Sequence, residues 1–180
     1  MVLGVGSANI GEQEAHVMED PGSYRATIAN SVVFEGVSPT TVDTVLSTSN
    51  FITLKPGDLI LSEGTPGDGL YIVLEGEVEI FLPERAGTGG RRPTRIRLAR
   101  LGPGRCLGEY SVIDNQPSSA SATALTPTRL CFVPKAKFRG LVDGNDQVGR
   151  IVYANLLRYL VSRLRGKDKE LDIVLLADRK

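Results

Sequence analysis

The run NFITLKPGDLILSEGTPGDGLYIVLEGEVEIFL, residues 50–82, holds short apolar segments separated by glycine, proline and acidic residues. Phe51-Ile52-Thr53-Leu54 stops at Lys55-Pro56-Gly57-Asp58, where proline presets φ, glycine accepts a positive φ and the chain turns. Residues 58–62 read as the next strand, ended by Glu63-Gly64-Thr65-Pro66-Gly67-Asp68. Leu70, Tyr71, Ile72, Val73 and Leu74 follow as one apolar run. After Glu75-Gly76, the apolar residues Val78, Ile80 and Leu82 alternate with polar positions that include Glu77 and Glu79. A period of two places one face of that strand in a core and leaves the other partly solvated.

The same punctuation continues outward. Residues 83–93 are a Gly/Arg-rich hairpin loop, and residues 94–101 alternate again, Ile96 and Leu98 opposing Arg95 and Arg97. Gly102-Pro103-Gly104 turns the chain, and residues 120–125 and 129–133 supply two further strands. Short strands punctuated by Gly and Pro at intervals of about ten residues predict a sandwich or a barrel. Upstream, Ser38-Pro39 offers an N-cap followed by proline in the first helical position, with Val42, Val45 and Leu46 on one face. Downstream, Val148, Ile151, Val152, Leu156, Tyr159, Leu160 and Leu164 form an apolar stripe at helical spacing, flanked by Arg150, Arg158 and Arg163. Gly166 is expected to interrupt that helix. The chain therefore divides into a flexible arm (1–22, with a short helix around 12–18 as the alternative), a domain over 23–166, and a helical tail over 167–180 that carries Leu171, Ile173 and Val174. The fold class is mainly β with flanking helices.

Bulk properties narrow the function. The chain has 180 residues, with 21 basic and 21 acidic side chains and a formal net charge of +0. No basic excess exists for non-specific attraction to nucleic acid. No apolar run approaches the ~20 residues needed to span a bilayer, and residues 1–10 lack the basic n-region and apolar core of a signal peptide. Cys106 and Cys131 sit in apolar surroundings without metal-type spacing. They read as buried thiols in a reducing compartment, a disulfide being the alternative. A cytoplasmic location is expected. The single histidine, His16, falls in the arm, so histidine-based catalysis and haem ligation have no candidate within the roll. Gly87-Thr88-Gly89-Gly90 is followed by arginines and a strand rather than the helix a P-loop needs. Asp143, Asp146 and Asp168 read as caps and surface charges. Nothing assembles into an active site, and the chain is expected not to be an enzyme.

Taken in order, Leu54-Lys55-Pro56-Gly57-Asp58, Glu63-Gly64, the run from Tyr71 to Val78, Leu101-Gly102-Pro103-Gly104 and Leu107-Gly108-Glu109 resemble the cyclic-nucleotide-binding domain family over about residues 30–165. The resemblance implies a jelly-roll β-roll with an N-terminal helical bundle and a C-terminal lid helix. It also implies a phosphate-binding cassette. In that family a Gly-Glu turn opens a short helix whose free N–H groups face the cyclic phosphate. The glutamate accepts a hydrogen bond from the ribose 2′-hydroxyl, and an arginine just after a proline pairs with the phosphate. Carried onto this chain, the candidate ligand residues are Gly108, Glu109, Tyr110, Ser111, Ser118 and Ser119. Pro117 matches, but Ser118 stands where the arginine belongs.

That substitution removes a charge-assisted contact of about 1.5–3 kcal/mol. It leaves three outcomes open: weak binding of cyclic AMP or cyclic GMP, another ligand, or an empty pocket. Arg91, Arg92, Arg95, Arg97, Arg100 and Arg105 are the candidates for a replacement cation, against the reading that Arg95 and Arg97 belong to a solvated strand face and Arg91-Arg92 to a loop tip. Glu109 reads equally as a helix-start carboxylate bonding local N–H groups. No cofactor is expected. The leading expectation is a stand-alone regulatory module with a degenerate ligand site, signalling through a protein partner. The alternative is a true sensor of cyclic AMP, cyclic GMP or a related anion. The residues after Gly166 are too few for a DNA-binding module, so a transcription factor is the least favoured role. The stripe over residues 148–164 suggests a homodimer, against the reading that it packs on its own roll.

Overall fold

The computed structural model describes residues 21–86 and 89–177. The proposed arm up to residue 20, with the helix at 12–18 and His16, lies outside the described residues, as do Gly87, Thr88 and the side chains of Ile173 and Val174. Pro21 and Gly22 open a short 3-10 helix, Pro21–Tyr24.

The order is α1 (Arg25–Ala29), α2 (Pro39–Thr48), β1 (Asn50–Leu54), β2 (Leu59–Leu61), β3 (Gly69–Glu75), β4 (Val78–Leu82), β5 (Ile96–Leu101), β6 (Cys106–Leu107), α3 (Glu109–Asp114), β7 (Ser121–Ala124), β8 (Thr128–Pro134), α4 (Lys135–Asp143) and α5 (Asp146–Ala177). The strands form two four-stranded sheets, ordered β1-β8-β3-β6 and β2-β7-β4-β5. Every pairing is antiparallel. This is the expected β-roll between helical flanks.

β3 explains why its sequence is one continuous apolar run rather than an alternating one. Leu70, Ile72 and Leu74 point to the helices, where they pack with Ile28, Phe34, Phe138 and Val152. Tyr71 and Val73 point into the roll, against Val78, Leu101, Leu107 and Leu130. A strand buried on both faces has no solvent side on which polar residues would stabilise it. β8 is built alike, with Cys131 and Val133 on the helical side and Leu130 inside the roll. Both cysteines are free and buried.

The helix ends follow their local chemistry. Ser38 Oγ accepts from the Thr41 N–H at 3.2 Å, with Pro39 next, as its N-cap position predicts. Asn145 Oδ1 caps α5 by accepting from the N–H groups of Gln147 and Val148, both at 3.1 Å. Asp146 begins that helix rather than capping it.

Several expectations need correction. Gly166 does not interrupt the last helix, because α5 runs unbroken from Asp146 to Ala177. A glycine costs a helix only about 1 kcal/mol, and the Lys167–Glu170 ion pair spans the following turn. Ile96 is 42% exposed, since it opens β5, an edge strand that meets the core only further on, through Leu98, Ala99 and the buried Leu101. Cys106–Leu107 is a strand the sequence does not announce: two residues carry no periodicity, and their partners, Ile72 and Tyr71, are far away in the chain. The stripe over residues 148–164 mostly serves this chain's own core: Val148, Val152, Leu156 and Tyr159 are buried against the roll and the N-terminal helices. Among the described side chains of α5, the exposed large apolar residues are Leu157, Val161, Leu164 and Leu171, on a different face.

Candidate functional site

The site is built where β6 passes into α3. Gly108 makes the junction in the left-handed region, φ 81°. A Cβ there would meet the Gly69 carbonyl oxygen at 2.5 Å, so both backbone conformation and space demand glycine. The next residue, Glu109, is turned inward and is only 3% exposed. Ser111, two residues on, is buried so close to Gly67 that a Cβ on the latter would overlap it at 2.2 Å. The loop after α3 is held to the β2–β3 connection by paired backbone bonds. Ser118 N donates to the Thr65 carbonyl at 2.9 Å and Gly64 N to the Ser118 carbonyl at 2.8 Å. Ser121 Oγ accepts from the Glu63 N–H at 3.0 Å.

These contacts gather Gly108, Glu109, Tyr110, Ser111, Ser118 and Ser119 around one cavity of about 110 Å³, with apolar walls from Leu61, Leu107 and Ala122 among others. Ser118 is 7% exposed, and its Oγ has no hydrogen-bond partner. Among the described residues no group of three or more His, Cys, Asp or Glu could hold a metal ion.

The cation in this cavity comes from the expected lid helix, whose arginines the sequence reading did not weigh as replacements. Arg163 of α5 lines it, and its Nη1 donates to Glu109 Oε1 at 2.5 Å. Its guanidinium also lies 5.7 Å from the ring centres of Tyr110 and of Tyr159. Burial pushes the Glu109 carboxyl above its ordinary range, opposed by the Arg163 charge and by Glu109's own backbone N–H. Burial also works against the Arg163 charge, but Glu109 and the neighbouring tyrosines hold that guanidinium above its usual value. Glu109 is thus paired with an arginine brought in from another helix.

None of the six arginines weighed as replacements lines this cavity. Arg92 is not a solvated loop tip: it makes a bidentate pair with Glu63, at 2.7 and 2.9 Å, and donates to the Pro83 carbonyl. Arg95 pairs with Glu79 while its guanidinium lies 3.5 Å from the centre of the Phe81 ring. Arg97 and Arg100 line a separate open groove with Lys167 and Glu170. Arg163 stood in the sequence only as a flank of an apolar stripe. The available signal was its spacing: Asn155, Tyr159 and Arg163 recur every four residues, on one face of a helix.

That face fixes the helix over the site. Asn155 Nδ2 donates to the carbonyls of Val33 and Glu35, at 3.0 and 2.7 Å. Tyr159 Oη donates to the Cys106 carbonyl at 3.3 Å. α5 is thereby tied to the N-terminal segment, to β6 and to the cassette.

Residues 51–145 match the cyclic nucleotide-binding domain family. The chain belongs to that family. It is 35% identical over 144 residues to the cyclic AMP receptor protein of Thermus thermophilus, covering 80% of this chain and 62% of that protein. It is 28% identical over 151 residues to a CRP-like cAMP-activated global transcriptional regulator of Mycobacterium tuberculosis, covering 84% of this chain and 63% of the regulator. A crystal structure of a cyclic nucleotide-binding domain from Methylobacillus flagellatus superposes with a TM-score of 0.71 at 27% identity, covering 82% of each chain. The chain thus spans less than two thirds of the length of these two regulatory relatives. Among the described residues no helix is long and apolar enough to cross a membrane.

Proposed function

We propose that this chain is a non-enzymatic regulatory module of the cyclic nucleotide-binding family whose pocket is occupied by its own arginine, and which signals through protein contacts. The Glu109–Arg163 pair carries this reading. With Ser118 at the arginine position, the charges in the cavity are one carboxylate and one guanidinium, already neutralising each other. The free volume of about 110 Å³ falls well short of the ~300–1,000 Å³ usual for small-molecule sites. The chain's net charge of +0 gives no support for contact with nucleic acid. Free, buried Cys106 and Cys131 fit a reducing compartment, and we place the module in the cytoplasm.

Calorimetric titration with cyclic AMP and cyclic GMP, after a mass-spectrometric check for co-purified nucleotide, is the direct test. No heat is expected at millimolar ligand. Binding tighter than roughly 10 μM, about −7 kcal/mol, would instead establish the second reading, a cyclic-nucleotide sensor. That reading draws on the common cavity of all six candidate residues and on the unpartnered Ser118 Oγ.

The protein partner proposed is a second copy of this chain, docked through the outer face of α5. Leu157, Val161, Leu164 and Leu171 are 63%, 41%, 63% and 59% exposed. Their spacing is that of the alternating core positions of a coiled coil. Asp168 occupies the position between Leu164 and Leu171, which keeps the association modest. Sedimentation at tens of micromolar should show a dimer, and Leu157→Glu with Leu164→Glu should return it to monomer. A wild-type chain that sediments only as monomer removes this partner.

A further inference from the structure

β5 is left with an open side. It pairs with β4 alone, at the edge of its sheet. A strand in that place carries a row of N–H and C=O groups without a neighbouring strand, and a further strand can take them up. Among the described residues its main chain has one tie beyond the sheet, Lys167 Nζ donating to the Leu98 carbonyl at 2.8 Å.

The pairing register fixes what a neighbour on that side would meet. Arg97 stands opposite Phe81 and Arg100 opposite Glu79, two positions apart on β4 and so on one face. The irregularity between Ile80 and Phe81 is what brings these arginines, three positions apart, to the same outer face. Arg95 reaches that face too, over the Phe81 ring and against Glu79. Ile96, Ala99 and Leu101 stand opposite Leu82, Ile80 and Val78, on the other face. The roll buries Leu101 but leaves Ile96 42% exposed. β5 thus shows cations on one face and an unfinished apolar strip on the other.

Charge decides the kind of neighbour. From Arg85 to Arg105 the chain has seven arginines and no acidic residue, in a molecule of net charge +0. Arg95 and Arg100 have acidic neighbours in Glu79 and Glu77. Arg97 is exposed and has no ion-pair or hydrogen-bond partner among the described residues. Arginines along an edge repel a second β5, whereas opposite charges directly across a strand pair attract.

We propose that the open edge of β5 is a docking site for an extended segment of another protein in which acidic and apolar residues alternate. The acidic residues face Arg97 and Arg100, and the apolar ones close over Ile96. Main-chain bonds to the edge supply the affinity, and the two side-chain rows supply the selection. A nucleic-acid phosphate chain would engage the arginines but would use neither the edge nor Ile96, so a peptide is favoured. The surface uses none of the six cassette residues and none of the exposed leucines of α5, so its test is independent of the function proposed above.

Amide hydrogen exchange of the full chain, with and without a capped peptide of about eight alternating glutamate and valine residues, tests this. The peptide should bind with a Kd below roughly 100 μM. Near saturation it should slow, by at least about tenfold, the β5 amides that do not bond to β4. A lysine-valine peptide of equal length should do neither. Arg97→Glu, a change at a side chain with no described partner to lose, should weaken binding by at least about fivefold. No binding at millimolar peptide overturns the proposal, and so does binding that leaves those amides within about twofold of the free protein, which is charge attraction alone. Displacement of the peptide by a short DNA duplex also overturns it, nucleic acid then being the better occupant. Slow exchange of the same amides in the free protein overturns it as well: lost on dilution, it assigns the edge to a second copy, and unchanged on dilution, to residues 1–20 of this chain.

Discussion

Combining Ser118→Arg with Arg163→Met is expected to produce a pocket that binds cyclic AMP, where the wild-type pocket is proposed not to. Ser118 is 93% buried by its 7% exposure, faces the cavity, and leaves its Oγ without a partner, so an arginine at this position would project into the space a phosphate needs. The charge-assisted contacts restored are worth about 1.5–3 kcal/mol, or roughly ten- to hundredfold in affinity. Removing Arg163 contributes separately. It frees Glu109 to accept from a ribose hydroxyl, and it vacates room in a cavity of only about 110 Å³. Ser118→Arg alone should therefore gain less than the pair. Calorimetry on the two variants and the wild type distinguishes the contributions. Equal affinity with and without Arg163 would mean that the guanidinium does not obstruct the site.

Gly108→Ala should be among the most damaging single changes to the cassette. At φ 81° any side chain is strained, by about 1–3 kcal/mol. The new Cβ would also stand 2.5 Å from the Gly69 carbonyl oxygen, a backbone atom in β3 that cannot swing aside. The junction would have to shift, carrying Glu109 away from Arg163. Urea unfolding should register a loss of at least about 1 kcal/mol, accompanied by weaker protection in α5. Gly166→Ala is the internal control: nothing lies within 4 Å of its Cβ position, and the helix is continuous through it. That change should be neutral or stabilising by up to about 1 kcal/mol. A Gly108→Ala protein as stable as wild type would mean that the backbone there relaxes freely, which the close approach to Gly69 argues against.

In the proposed reading, α5 joins two surfaces with different tasks. Its inner face, through Asn155, Tyr159 and Arg163, grips the N-terminal segment, β6 and the cassette. Its outer face carries the exposed residues Leu157, Val161, Leu164 and Leu171, the surface proposed for a second copy. A change in either contact is felt by the other because one rigid helix carries both.

Much of the roll was legible in the chain. Turn glycines and prolines, the Ser38-Pro39 cap and the period-two segments report local constraints, and local constraints are what sequence records most directly. The six residues that the family resemblance singled out, Gly108 and Glu109 among them, line one cavity. That Ser118 follows Pro117, where the resemblance leads one to expect an arginine, was equally visible, since it is a single position. What only the tertiary structure decided depends on distance along the chain. Arg163 meets Glu109 across 54 positions, and Arg92 meets Glu63 across 29. β6 is two residues long and exists because β3 is there to pair with it. Which face of α5 is core and which is surface was ambiguous because apolar residues lie on both, and only packing against the roll assigns Leu156 inward and Leu157 outward. Sequence encodes the torsional preferences of each short segment, whereas the partner of a buried charge is set by where the folded chain brings distant segments together.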